Sequence, residues 1–209
     1  SAARVVVAAG AWTSTLLGGR FGADLRVLPQ VQYWFEPSRP DLWRQDRCPA
    51  YLWFHGDGAD DFFYGMPLVD GGVPGVKVAT EQYGQAGLPD DLDRELSAAE
   101  AEALASRMYR DHVRPCLKGV TATPVQVMRC LYTFNPGPPD GRFLIGAHPD
   151  IEGVTVVSAC SGHGFKHSAG LGEAIAQQLV DGSSACDLSA FRSGHPGWLQ
   201  PGPGTDSRA

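Results

Sequence analysis

The sequence lacks the signatures of several large classes of protein. No apolar run approaches the ~18 residues that a membrane-spanning helix needs, so no membrane partner is expected. No C-x-x-C occurs, and the five cysteines (Cys48, Cys116, Cys130, Cys160 and Cys186) are irregularly spaced. That spacing suits neither a disulfide framework nor a zinc ribbon. Basic residues are too few for a nucleic-acid surface: 17 Lys+Arg stand against 23 Asp+Glu, a net charge of −6. Such a balance does not attract phosphate backbones. Neither G-x-G-x-x-G nor G-x-S-x-G is present, so the sequence carries no dinucleotide fingerprint and no nucleophile elbow of its own. The opening SAARVVVAAG has no basic region followed by a long apolar stretch and a cleavage site. With this cysteine usage, a reducing cytoplasm is the expected location.

What is there describes a globular chain. Of 209 residues, 43% are hydrophobic and 19% charged, enough to bury a core. Glycine and proline together supply about a fifth of the chain, above the usual ~12%. Many turns follow from that, and a long helical bundle does not. The first residues read as a buried strand already in progress, without an initiator Met. The expectation is a piece of a longer protein.

Residues 4–9 (RVVVAA) form a β-branched run ending at Gly10, which suits a strand buried on both faces. Trp12 to Leu17 then reads as a helix with Thr13 as a possible cap, broken at Gly18-Gly19. Arg26 to Phe35 is a strand whose Pro29 argues for an edge or a bulge. Tyr51 to His55 and Phe62 to Met66 flank the turn GDGADD and predict a hairpin. Val76 to Gln82 alternates apolar and polar, as a half-buried strand does. Ser97 to Val113 is the clearest helix: Ser97 and Glu100 make a capping box. Ala101, Leu104, Ala105, Met108 and His112 share one face, and Pro115 stops it. Val125 to Thr133, Arg142 to Ala147 and Val154 to Ala159 are further strands. A helix from His167 to Val180 ends at Asp181-Gly182.

A strand–helix unit at each end thus encloses an antiparallel-looking sheet with one helix. The fold class is α+β: a mixed or antiparallel substrate-domain sheet with helices, plus the last strand–helix parts of a Rossmann-like domain whose N-terminal half is missing. The expected partition is 1–24 and 136–192 in the Rossmann-like part, 25–135 in the middle domain, and 193–209 as a disordered Gly/Pro/Ser tail.

Four places could carry chemistry. Ser161-Gly162-His163-Gly164-Phe165-Lys166 lies between a strand and a helix. Its glycines let the backbone approach a flat or anionic ligand. The helix end offers unpaired N–H groups, to which Lys166 adds a charge. The plainer reading is a glycine-rich turn with a solvated lysine. Cys160 with His163 lacks a second ligand pair, so no metal is expected. Cys130 sits inside a strand, where a free cysteine is often a small buried hydrophobe. Lys77 has the parity of Ala79 and Glu81, which by pattern reads as solvent-facing. Tyr64, before Gly65-Met66-Pro67, reads as a core or edge aromatic.

Taken together these segments resemble the C-terminal part of the monomeric sarcosine oxidase and N-methyltryptophan oxidase family, flavin amine oxidases with a D-amino-acid-oxidase-like fold. The family pattern is met at Cys130-Leu131-Tyr132-Thr133, at Asp140-Gly141-Arg142-Phe143, at Ser161 to Lys166, and at Asp187-Leu188-Ser189-Ala190-Phe191. VVVAAGAWTSTLL, FFYGMP and GVKV follow the family in order. The resemblance implies FAD as cofactor, with Cys130 as a thioether attachment point and Gly10 and Gly162, His163, Gly164, Phe165 and Lys166 against the flavin. It implies that Lys166 pairs with a substrate carboxylate, that Lys77 assists oxygen reduction, and that Tyr64 lines the substrate cavity. The implied partners are a small secondary amine or N-methyl amino acid, oxygen, and the missing FAD-binding half in cis or in trans.

The departures are specific. Sarcosine-oxidising members carry a histidine four residues after the lysine matching Lys77, and here that position is Glu81. On one strand the two share a face, which would favour a more cationic amine. Two extra residues separate Tyr64 from Lys77, and the PGPPDG loop is longer. Three functions remain open: an oxidase that makes an imine and hydrogen peroxide, a non-catalytic fragment or partner subunit of one, and a flavin dehydrogenase that does not use oxygen.

Overall fold

The computed structural model describes residues 2–18, 25–58, 61–84, 86–135 and 141–192. Gly19, Asp140, most of the PGPPDG loop and the tail from 193 onward lie outside the described residues. The protein is a mixed α+β fold that divides into two compact units. One comprises Ser1–Leu28, Tyr83–Leu92 and Leu131–Ala209; the other comprises Pro29–Gln82 and Asp93–Cys130.

The first unit is built on a three-stranded sheet in the order β1 (Val5–Val7), β8 (Val154–Ser158), β7 (Leu144–Ala147). β1 runs parallel to β8, with Val6 opposite Thr155. β7 is antiparallel to β8, with Ile145 opposite Val157. Period-2 alternation divides the sheet's apolar residues between its faces. Leu144 and Val156 pack with Leu25 and Leu17 of the short helix α1 (Thr13–Leu17). Ile145 and Val157 pack with Leu171, Ala174 and Ile175 of helix α4 (Ser168–Val180), together with Phe143 and Leu188.

Two expectations fail in this unit. β1 is not buried on both faces: Val5 and Val6 are 45% and 43% exposed, and only Val7 is buried. The reason lies in the sheet order, since among the described residues β1 is an edge strand with β8 as its one neighbour. Nor is Thr13 a cap. A 3-10 turn, Gly10–Trp12, precedes it and shifts the helix start, so that Thr13 is the first helical residue.

The second unit is built on a five-stranded sheet in the order β3 (Tyr51–Phe54), β4 (Phe62–Met66), β5 (Val76–Ala79), β2 (Arg26–Pro37), β6 (Val120–Phe134). The β3–β4 hairpin forms as expected, with Leu52 opposite Tyr64 and Phe54 opposite Phe62. One face of the sheet carries Val31, Tyr33, Phe35, Phe63, Val76 and Val78, which pack on Ala105 and Met108 of helix α2 (Ala98–Met108). Phe35 and Phe63 are fully buried. Each such side chain contributes about 1.5–3 kcal/mol of transfer free energy. Helix α2 starts at the expected capping box: the Ser97 hydroxyl accepts from Glu100 N–H, and the Glu100 carboxylate accepts from Ser97 N–H at 3.0 Å.

Three expectations fail here. β2 is an interior strand, not an edge. Pro29 lies outside the ladder with β5, which pairs Gln32 to Phe35. Pro115 does not stop the helix. The chain widens into a π turn at Tyr109–Val113, where Arg114 N–H reaches back five residues to Tyr109 O, and continues as helix α3 (Arg114–Cys116). That widening takes up the carbonyl crowding a proline imposes on a regular helix. His112, on this turn, meets His55, with ring nitrogens 3.1 Å apart. Finally, β5 ends at Ala79 rather than Gln82. The chain beyond it is held by Gln30, whose side chain bonds both the N–H and the carbonyl of Gln82.

Candidate functional site

The face of the five-stranded sheet opposite its core is the candidate site in that unit. Directly opposed residues share a face. The register therefore places Leu52, Tyr64 and Ala79 in one row and Met66, Lys77 and Trp34 in the next. This face stays open at its β3 edge: Leu52 and Phe54 are 66% and 73% exposed. Phe54 and Phe62 pair at 4.8 Å between ring centroids. Tyr64 is half-buried beside Phe62, at 6.4 Å.

Lys77 is half-buried rather than solvent-facing. Its ammonium lies over the Trp34 ring, 5.3 Å from the centroid. Burial pushes its pKa below the ordinary lysine value, and the Cys130 thiol group pulls it partly back up. Its backbone is fixed from the opposite face, where Tyr51 Oη donates to Lys77 O at 3.4 Å. Tyr51 reaches across because Gly65 lies directly opposite it with no side chain. A Cβ on Gly65 would run into both Lys77 O and Tyr51 Oη. Burial holds the Tyr51 phenol well above its usual pKa, so it remains a donor. Cys130 is half-buried on β6, the strand beside β2, so Lys77 and Cys130 are brought together in one unit.

Glu81 departs from expectation. β5 ends at Ala79, so Glu81 lies beyond the strand and is exposed. The shared-face argument with Lys77 does not apply. Trp34 and Met66 were invisible to sequence reasoning, because their opposition to Lys77 depends on a register between strands that sequence does not give.

In the first unit, Ser161 to Lys166 forms a tight reversal between β8 and α4. Ser161 takes a positive φ of 40° and Gly162 one of 75°. A non-glycine residue in that region stores about 1–3 kcal/mol of strain. Here Ser161 is held by donating its N–H to Thr133 O at 2.9 Å. Gly164 N–H closes the turn on Cys160 O at 2.8 Å. A Cβ at Gly164 would collide with the Ala159 carbonyl oxygen, so glycine is required. His163 is locked with Nδ1 2.7 Å from Ser161 O and stacks on Phe143 at 4.9 Å. Phe165 is 94% exposed, and Lys166 is exposed beside it. Helix α4 continues a 3-10 turn at Phe165–His167, in which His167 N–H donates to Gly164 O and Ser168 N–H to Phe165 O. At the carboxyl end of β1, Gly10 has a φ of 54° and open space where a Cβ would be. Nearby in sequence, the buried Thr13 hydroxyl has no hydrogen-bond partner among the described residues. Among those residues, no three His, Cys, Asp or Glu side chains gather as a metal site. No helix there is long and apolar enough to cross a membrane.

Residues 1–178 match the family model described as FAD dependent oxidoreductase, and the chain belongs to that family. It is 32% identical over 193 residues to a monomeric sarcosine oxidase of Streptomyces avermitilis, covering 91% of this chain and 47% of that protein. It is 27% identical over 191 residues to an N-methyl-L-tryptophan oxidase of Salmonella arizonae, covering 83% and 48%. Among solved structures, NikD, an unusual amino acid oxidase essential for nikkomycin biosynthesis, shares the fold with a TM-score of 0.67 and 20% identity. That likeness covers 90% of this chain and 47% of NikD. The chain spans about half the length of the curated relatives it matches.

The donor set suits the group that the family name implies. The positive end of the α4 dipole, with Lys166 in the turn before it, suits an electron-rich ring edge. Gly10, with open space at the end of a parallel strand, lies where ligands bind in such sheets. The buried Thr13 hydroxyl, without a partner among the described residues, is free to bond a polar group of the cofactor. Cys130 offers a thiol on the same sheet as the Lys77 ammonium, with β2 between them.

Proposed function

We propose that this chain serves an FAD-dependent oxidase acting on the C–N bond of a secondary amine or N-methyl amino acid. FAD, when bound, supplies the acceptance of two electrons from that bond and their delivery to oxygen as hydrogen peroxide. The observation that carries the reading is Lys77, a half-buried ammonium on an aromatic sheet face of the same unit as Cys130, whose thiol group acts on its charge, in a chain of this family.

The chain's own residues supply binding and fields. Cys130 would hold the cofactor by a thioether, since a thiolate is the strongest protein nucleophile. Lys77 offers a preorganised positive charge where negative charge develops during oxygen reduction. Tyr64, Phe62 and Met66 provide an apolar wall for the amine substituent. In the other unit, Gly162 to Lys166 and the N-terminal end of the α4 dipole offer positive potential to an anionic group. Lys166 is exposed and available to a substrate carboxylate.

Protein isolated from its own cells should carry an FAD-sized adduct on the peptide containing Cys130. Sarcosine or N-methyl-L-tryptophan should bleach the flavin absorbance without air, and admitting air should restore it with one peroxide per amine. A flavin that no secondary amine bleaches would overturn the reading. Lys77→Met should slow the return of colour in air far more than the bleaching. Unchanged reoxidation would remove the oxygen role from Lys77 and favour a dehydrogenase.

A further inference from the structure

We propose that Trp34 is the positioning residue for Lys77, its indole face setting where the ammonium stands on the open face of the sheet. The geometric part of this proposal stands on its own; its consequence for oxygen rests on the function proposed above.

Trp34 lies directly opposite Lys77 across the β2–β5 pair, and Met66 lies opposite it on the β4 side. Opposed side chains in an antiparallel pair start only ~4.5–5.5 Å apart. A lysine in such a row normally extends away from the sheet into water. Here Nζ instead stands 5.3 Å from the indole centroid, within the ~6 Å at which a ring quadrupole attracts a cation. Among the described residues, burial and Cys130 are the influences on its charge, and no carboxylate joins them. The ring is therefore its resident electrostatic partner besides the thiol. The base of Lys77 is fixed independently by Tyr51 and by the lack of a side chain at Gly65. With the backbone pinned from the core face, the indole decides where the far end of the flexible stem comes to rest.

The chain has three lysines, Lys77, Lys118 and Lys166, which makes a direct readout possible. Reductive methylation of the full chain with 13C-formaldehyde gives one signal per lysine. Lys77 is assigned by the signal that Lys77→Met removes. In the wild type that signal should stand upfield of the other two, displaced by the ring current of Trp34. Trp34→Leu keeps apolar bulk but removes the quadrupole: the displacement should vanish and the titration midpoint should fall further. Trp34→Phe, the gentler change and the safeguard should the leucine variant not fold, should retain part of the displacement. A Lys77 signal unshifted in the wild type, or unchanged in both variants, overturns the proposal.

In the complete flavin-loaded protein, Trp34→Leu should slow reoxidation in air by about the same factor as Lys77→Met. The double variant should be no slower than either, as expected when two residues act as one unit. Additive losses would overturn the positioning role. If the signals move as expected but neither variant alters reoxidation, the positioning stands and the oxygen role of Lys77 fails.

Discussion

At the scale of single residues, the structure turns on where a side chain is forbidden and where a charge is kept half out of water. Gly65 is the first case. Its missing Cβ is the space through which Tyr51 reaches the carbonyl of Lys77. Gly65→Ala should destabilise the protein by about 1–3 kcal/mol, as overpacking does, measured by urea unfolding. A variant as stable as the wild type would mean that Tyr51 moves aside freely. Lys77 is the second case. Its folded pKa lies below its unfolded value because burial penalises the ammonium. Between the two values the unfolded state binds more protons, so this residue's contribution to stability rises with pH across that window. Stability measured against Lys77→Met should therefore show a wild-type deficit at neutral pH that shrinks as pH climbs toward 10.5, the unperturbed value. A constant difference would show that the residue is not desolvated. Pattern alone does not single out Cys130 or Lys77, which come forward only through the family resemblance, as do the roles given to the Gly162–Lys166 turn. Trp34 does not come forward at all, because a tryptophan 43 positions before a lysine has meaning only once β2 and β5 are in register. Glu81 misled for the converse reason. Alternation continues through it in the sequence, but the ladder ends at Ala79 because the side chain of Gln30, not another strand, takes the backbone of Gln82.

At the scale of elements, local signals read well where they are covalently local. The S-A-A-E box opens α2 as expected, with both reciprocal hydrogen bonds formed. Its hydrogen bonds hold the Glu100 carboxyl below the usual range. Ser97→Ala should lower stability by about 0.5–2 kcal/mol, as loss of a cap does. Because the folded pKa of Glu100 is the lower one, its contribution is present above the unfolded value and fades as pH falls through the folded one. The gap between wild type and Glu100→Gln should therefore close in acid, which thermal melts across pH 3 to 7 would test. A gap that persists in acid would assign the effect to helix propensity. The far end of this helix was not legible. A proline ordinarily ends a helix, and nothing in YRDHVRPC announces that a π turn will absorb it. The hydrogen bond from Arg114 to Tyr109 is a choice of the folded chain. It leaves His112 against His55 and Phe63, contacts that a simple apolar stripe through His112 does not anticipate. The burial of β1 was misjudged for a similar reason. A run of valines records the preference of a strand for cover, but among the described residues Val5 and Val6 lie on an edge strand with one neighbour.

At the scale of the whole molecule, the mixed α+β class was readable. The antiparallel hairpin, the alternating strand and the strand–helix at either end each carry their own local pattern, while the parallel pairing of β1 with β8 is seen only in the folded chain. What local patterns do not reveal is how the chain is shared out, because it passes between the two units at Leu28–Pro29, Gln82–Tyr83, Leu92–Asp93 and Cys130–Leu131. Two of these crossings fall inside single strands, β2 and β6. The hydrophobic clusters nonetheless share no residue: Phe35, Phe63, Val76, Val78 and Met108 gather in one unit, while Phe143, Ile145 and Ala174 gather in the other. Packing energy is short-ranged, so a cavity in one core should be felt there first. Phe63→Ala should cost about 3–5 kcal/mol, the usual range for a buried phenylalanine. Native-state hydrogen exchange should show that loss in β4, β5 and α2, with β7, β8 and α4 keeping their protection. An equal fall in both units would mean that the continuous strands weld the two cores into one cooperative structure. In that case every substitution at the Lys77 face would also have to be judged for its effect on the Ser161–Lys166 turn.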